Sequence, residues 1–125
     1  MNELPKEVKD AWELHKKEVV FTTVSKDGTP NSVYVAIIFF YDENTIVIAD
    51  NKFDKTNKNI AEGSSASLLF ITDEYAAYQI KGSIKCYSDG PIYDAMKKAN
   101  KEGYPGYKAV AINIEEVYKG ADKLV

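Results

Sequence analysis

The chain has 125 residues, 45% of them hydrophobic and 28% charged, with a formal net charge of −3, one histidine and one cysteine. This composition predicts one globular domain over residues 1–125. The negative net charge makes a nucleic-acid-binding protein improbable. One histidine and one cysteine make a zinc site or a His-based triad improbable. No apolar run approaches the ~20 residues of a membrane span, and the N-terminus has no apolar signal core, so we expect a cytoplasmic protein.

The first part of the chain predicts a helix followed by a β-hairpin. Residues 4–17 carry their apolar side chains on one helical stripe and have a proline near the start. Residues 19–25, "VVFTTVS", are rich in β-branched side chains and predict a strand. The pair Asp27-Gly28 that follows is a strong tight-turn signal, so the next strand should return antiparallel.

The return strand, predicted over residues 31–41, is apolar at every position from Val33 to Tyr41. A strand with one face in water should alternate between apolar and polar residues. Both faces of this strand therefore need cover. A second subunit at a two-fold interface, a ligand, or the helices of the same chain would each provide it, and the residues alone leave these alternatives open.

The rest of the pattern completes a mainly β fold with flanking helices. The strand at 75–88 alternates cleanly, with Tyr78, Ile80, Gly82, Ile84 and Cys86 on one face. Six mostly antiparallel strands in a chain of this size predict a barrel. The further predicted strands are 45–50, 65–72, 75–88 and 107–120, and the further helices are 54–62, closed by Gly63, and 89–103.

The segment "NKFDKTNKN", residues 51–59, places positive charge where a helix begins. With Asp54 as the N-cap, Lys55 falls in the first turn, where a cation is unfavourable by ~0.3–1 kcal/mol. An anion at this position would reverse that, and a phosphate would meet backbone N–H groups, the Lys55 ammonium and the Thr56 hydroxyl. The alternative interpretation is a polar loop with solvated lysines.

The chain resembles the FMN-binding split-barrel proteins related to pyridoxamine 5'-phosphate oxidase, and in length it is similar to their small single-domain members. Four segments carry the resemblance, in the family's order. They are "VVFTTVSKDGTPNSVYVAIIF", "IVIADNKFDKTNKNI", "YQIKGSIKCYSDGPIYDAM" and "AVAINIEEVY".

The resemblance implies a homodimer of six-stranded antiparallel split β-barrels with FMN at the subunit interface. It assigns the FMN phosphate to Lys55 and Thr56. The ribityl chain and phosphate would also be contacted by the second strand, at Ser32, Val33, Tyr34 and Val35. Backbone groups at Ala49, Asp50 and Asn51 would line the flavin ring. The partner subunit would close the site with Gln79 and with Tyr104 or Tyr107.

No acid–base pair stands out in the sequence, which is consistent with a flavin supplying the redox chemistry. We therefore expect an FMN-binding flavoprotein that acts in electron transfer or as an oxidoreductase or flavin reductase, with NAD(P)H or a redox protein as donor. A flavin carrier or sensor without turnover, and a deazaflavin-dependent reductase of the same fold, are the alternatives. The arginines that often bind the phosphate in the oxidase itself are missing, so oxidation of pyridoxamine phosphate is not expected.

Overall fold

The computed structural model describes residues 4–125, which form one curled sheet with helices against it. The helices are α1 (Lys6–Glu13), α2 (Lys55–Ala61) and α3 (Gly90–Ala99). The strands are β1 (Val19–Val24), β2 (Pro30–Val35), β3 (Ile38–Asp42), β4 (Thr45–Asp50), β5 (Ala66–Ile71), β6 (Ala77–Tyr87), β7 (Lys108–Lys119) and β8 (Asp122–Lys123). None of these helices is long and apolar enough to cross a bilayer.

The sheet is antiparallel throughout, in the order β2-β1-β5-β6-β7-β4-β3, with β8 beside β7. Its two outermost strands, β2 and β3, are joined by Ala36 and Ile37 alone. Because two residues span only a few ångströms, the sheet has to curl until its two edges approach each other. This is a split β-barrel, and the predicted fold class is confirmed.

The prediction of a single strand over residues 31–41 is wrong. It breaks at Ala36, and its two halves join opposite edges of the sheet, β2 on β1 and β3 on β4. An uninterrupted apolar run has no period that would reveal such a break. With this division and the short β8, the described part of the chain has eight strands where we predicted six.

The main core fills the inside of the curled sheet. Phe21, Leu68, Ile80 and Ile112 are completely buried there. Helix α1 packs against this core, and its Trp12 meets Phe70 edge-on with ring centroids 5.1 Å apart. The helix ends before His15, which we had placed inside it, and this residue forms an isolated bridge with Thr72 instead.

A second, smaller core lies between the outside of the sheet and α3. Met96 of α3 is buried against Val47 and Ala111, and Ile37 and Phe39 pack beside them. Helix α3 therefore covers part of the doubly apolar segment within the same chain. Tyr34 on β2, by contrast, is 76% exposed, so the helices of this chain cover only part of the segment.

A β-bulge lets the two longest strands bend around the barrel. The register of β6 on β7 shifts between Lys81 and Gly82, which leaves Glu115 as the additional residue. At Gly82 a Cβ would lie 2.0 Å from the carbonyl oxygen of Asn113. Only glycine fits so close to the neighbouring backbone. The alternation predicted for this strand is confirmed, since Tyr78 faces the core.

Candidate flavin site

A groove of about 290 Å³ lies where the end of β4 meets the connection between β2 and β3. We call it the β2–β4 groove. The residues predicted to contact a flavin that line it are Val33, Tyr34, Val35, Ala49 and Asn51. The fold therefore brings together two segments that are about 15 residues apart in sequence, as the resemblance implied.

Most of the groove wall is apolar. Phe53 and Ile37 contribute to it, and Lys52 and Tyr104 stand at its edge. Phe53 and Lys52 are not among the residues predicted for the site, and Tyr104, expected from the partner subunit, lines the groove of its own chain. An apolar cleft with a few polar groups at its rim is the usual form of a site for a flat organic ligand.

Asp50 is buried between two residues that line the groove, Ala49 and Asn51. It is 1% exposed, and its carboxylate accepts hydrogen bonds from the backbone N–H of Phe53 and the side-chain amide of Asn57, both at 2.9 Å. Its backbone carbonyl accepts from the N–H of Tyr107 at 2.8 Å. These bonds fix the connection from β4 to α2. The Asp50 carboxylate is thus committed to the protein, and its contribution to a ligand site is structural.

Helix α2 begins at Lys55, with Asp54 in the N-cap position as predicted, although the Asp54 side chain makes no capping hydrogen bond. Lys55 is exposed. Thr56 is only 2% exposed, and its hydroxyl accepts a hydrogen bond from the Asn31 amide at 3.3 Å. The two residues of the Lys-Thr pair thus face different surroundings, one toward solvent and one toward β2.

A second cleft, of about 480 Å³, lies between α2 and the turn of the β1–β2 hairpin. Lys26, Lys55 and Lys58 line it together with Asp27 and Glu62. The carboxylates offset part of the positive charge, so this cleft is mixed in sign. Lysines therefore line both cavities next to the start of α2. Lys55 and Lys58 line this cleft, and Lys52 lines the β2–β4 groove.

The outer face of the sheet carries the predicted residues that do not line the groove. The strand register aligns Tyr34, Val20, Leu69 and Gln79 in one row across β2, β1, β5 and β6. We call this row and its neighbours the outer sheet face. Leu69 is 46% exposed, and the Gln79 amide donates to the Ser67 hydroxyl at 2.8 Å.

Two further predicted residues, Ser32 and Tyr107, do not line the groove. Ser32 lies on the outer sheet face, where its hydroxyl is 2.7 Å from that of Thr22. Tyr107 is 67% exposed and follows the loop that carries Tyr104. Tyr34 belongs to both the groove and the outer sheet face. These two surfaces are therefore continuous.

Sequence reasoning missed the role of Asn100. Its side-chain amide pairs with that of Asn51 across 49 residues of sequence. A single asparagine after a helix is typical of an ordinary helix end, so one sequence offers no signal for this long-range contact. The result is that Asn51 uses its side chain to hold the protein together, and not to meet a ligand.

The titratable groups near the groove offer little acid–base chemistry. Burial raises the pKa of the Cys86 thiol, which keeps it protonated and unreactive. Within residues 4–125, no three histidine, cysteine or carboxylate side chains come together as metal ligands. The arrangement can bind and orient a ring, and the described groups do not form a nucleophile–base pair.

The sequence profile of the pyridoxamine 5'-phosphate oxidase family matches residues 4–120. An uncharacterized protein of Methanocaldococcus jannaschii is 35% identical over 109 residues, which cover 82% of this chain and 73% of that protein. The crystal structure of HupZ from Group A Streptococcus matches with a TM-score of 0.82 and 21% identity, covering 98% of both chains. An FMN-binding protein from Syntrophomonas wolfei matches with a TM-score of 0.77 and 16% identity, covering 90% of this chain and 83% of that one. The chain belongs to the pyridoxamine 5'-phosphate oxidase family.

Proposed function

We propose that the protein is an FMN-dependent oxidoreductase, a flavin reductase or electron-transfer flavoprotein, with FMN held in the β2–β4 groove at a homodimer interface. The observation that carries this proposal is the composition of the groove. Five residues expected to contact FMN line it, and they come from β2 and from the end of β4 with the residue that follows it, in a chain of this family.

The size of the groove fits part of a flavin site. Small-molecule sites usually measure roughly 300–1,000 Å³, and the groove has about 290 Å³. Its apolar wall suits the flat flavin ring, and Lys52 at its edge suits an anionic group. One chain therefore supplies about one wall of the site, and a partner subunit would supply the other.

We place the FMN phosphate at Lys55, the first residue of α2. Lys55 is exposed there, so its ammonium is free to make a charge-assisted hydrogen bond to a phosphate oxygen. Thr56 supports this arrangement from inside, because its bond to Asn31 ties the first turn of α2 to β2. The ribityl chain would run from the flavin ring in the groove to the phosphate at Lys55, along Val33 and Val35.

The outer sheet face is proposed as the dimer interface. Tyr34 and Leu69 are both largely exposed on it, and Tyr34 also lines the groove. A two-fold contact over this face would bury their apolar surface, at roughly 25 cal/mol per Å². It would bring Gln79 of the partner subunit toward the flavin.

When bound, FMN supplies the redox chemistry through its ring system. The chain's own residues bind and orient it. Val33, Ala49 and Phe53 keep water from one side of the groove, and Tyr104 stands at its rim. Because the flavin ring would carry out the redox chemistry, the protein needs no acid–base pair of its own.

Two measurements test the proposal together. Native mass spectrometry of the purified protein should identify FMN as the bound small molecule. Anaerobic stopped-flow with NADH and NADPH should then bleach the flavin absorbance. Bound FMN without bleaching by either donor, or by a reduced redox protein, would favour a flavin carrier. A protein that takes up a deazaflavin in preference to FMN would contradict the cofactor assignment, and one that binds neither would contradict the function.

A further inference from the structure

We propose that Asn100 is a positioning residue of the flavin groove, acting through the loop 100–107 to hold Tyr104 at its rim. This inference rests on the proposed FMN site. It assigns a role to a side chain that has no contact with the groove itself. The interactions that carry it are the Asn51–Asn100 pair, the contacts of Gly106 and the place of Tyr104.

The side chains of Asn51 and Asn100 form a reciprocal amide pair. The Asn51 amide donates to the Asn100 side-chain oxygen at 2.9 Å, and the Asn100 amide donates back at 2.8 Å. Both side chains are partly buried. Asn51 follows β4, and Asn100 follows α3, so the pair joins the floor of the groove to the end of the helix that packs beside it.

Gly106 packs directly against this amide pair. Its backbone N–H donates to the same Asn51 side-chain oxygen at 2.8 Å. Its φ of +53° lies in the left-handed region, and a Cβ there would come within 2.9 Å of the Asn100 amide nitrogen. Asn100 therefore holds Asn51 in the orientation that receives Gly106.

The loop has two further attachments on either side of Gly106. The Lys97 ammonium donates to the carbonyl of Pro105 at 2.9 Å. The N–H of Tyr107 donates to the carbonyl of Asp50 at 2.8 Å. Residues 105–107 are thereby held to α3 and to the end of β4, and this fixed segment begins directly after Tyr104.

Tyr104 is the residue that this arrangement places. It is 48% exposed and lines the groove, as do Ala49 and Phe53. Tyrosine presents a flat apolar face at a low entropic cost of ordering. A rim residue held in place before the ligand arrives loses less freedom on binding than one on a loose loop. The amide pair is thus a device for pre-organising the flavin site.

A double-mutant cycle on FMN affinity tests this coupling. The variants are Asn100→Ala, Tyr104→Ala and the double variant, with Kd measured by quenching of flavin fluorescence. Asn100→Ala should weaken FMN binding by about tenfold in the wild-type background, the scale of one lost hydrogen bond. In the Tyr104→Ala background the same change should weaken it by less than about twofold. Lys98→Ala, an exposed change in the last turn of α3, should leave Kd unchanged.

A measurement without flavin separates this inference from the proposed function. Amide hydrogen exchange at Gly106 should accelerate by about tenfold or more in Asn100→Ala, because its acceptor becomes free to rotate. It should not accelerate in Lys98→Ala. Equal loss of FMN affinity in both backgrounds of the cycle, with FMN still bound by the wild type, would overturn the positioning role alone. Unchanged exchange at Gly106 would also overturn it, whereas a wild type that fails to bind FMN would overturn the proposed function first.

Discussion

The hydroxyl of Thr56 accepts a hydrogen bond from the side-chain amide of Asn31, 3.3 Å away, and so ties the start of α2 to β2. Lys55, the neighbouring residue in sequence, is exposed. The Lys-Thr pair thus combines one residue that anchors the helix with one that can meet an anion. Its two members should respond differently to substitution.

Lys55→Ala should weaken FMN binding by about tenfold or more, because a charge-assisted hydrogen bond to the phosphate is lost. Its thermal stability should stay near that of the wild type, since an exposed lysine contributes little to folding. Lys98→Ala, which removes an exposed lysine of α3, is the control and should bind FMN normally. Thr56→Ala should lower both stability and affinity. Equal affinities for the Lys55 and Lys98 variants would contradict the phosphate assignment.

Leu69→Lys should convert the proposed homodimer into a monomer. The substitution would place a lysine from each subunit in the proposed apolar interface, where a charge loses hydration without gaining a partner. Sedimentation equilibrium with and without FMN measures the change, and FMN affinity should fall with it by about tenfold or more. Tyr41→Lys is the control, because Tyr41 is also exposed but lies on β3, outside the outer sheet face. A Leu69→Lys dimer with normal FMN affinity would rule out this face as the interface.

Gly82→Ala should destabilise the fold by about 1–3 kcal/mol or more. The new methyl group would overlap the Asn113 carbonyl, which a Cβ would approach to 2.0 Å. The backbone of the β-bulge would have to move to accommodate it. Urea unfolding measures the loss, with Ser83→Ala, an exposed position on the same strand, as control. Equal midpoints for the two variants would show that the bulge can relax without cost.

Glu7 should make the fold sensitive to acid. The Tyr78 hydroxyl donates to it at 2.9 Å and the Lys119 ammonium lies 3.3 Å away, and these groups hold the pKa of Glu7 below its ordinary value of 4.5. A carboxyl with a lowered folded-state pKa stabilises the fold above its ordinary pKa and loses this contribution as the pH falls through the folded value. The stability difference between wild type and Glu7→Gln should therefore shrink from about pH 6 to about pH 3. A difference that stays constant over this range would be evidence against the linkage.

The sequence predicted the elements whose patterns are periodic. The alternation around Tyr78 and Ile80 places β6 and its core face correctly, because a half-buried strand imposes a period of two. The run from Val33 to Tyr41 has no such period, so neither its break at Ala36 nor its division between two sheet edges could be inferred. The β-bulge at Gly82 was equally invisible, since a glycine in a strand has several possible causes.

Prediction of the site had a different limit. Family resemblance pointed to Val33 and Ala49 on separate strands, and the fold brings them to one groove. The contacts of Asn100 depend on where α3 ends relative to β4, which local sequence does not determine. The burial of Thr56 likewise follows from the packing of α2 on the hairpin. All assignments of residues to FMN, including those of Lys55, Gln79 and Tyr107, remain predictions.

The most direct measurement is a crystal structure of the protein grown with FMN. We expect the flavin ring against Ala49 and Phe53 in the β2–β4 groove, with a phosphate oxygen within about 3 Å of the Lys55 ammonium. Gln79 of the partner subunit should approach the ring. A flavin bound elsewhere, or one whose phosphate lies away from the start of α2, would contradict the central claim.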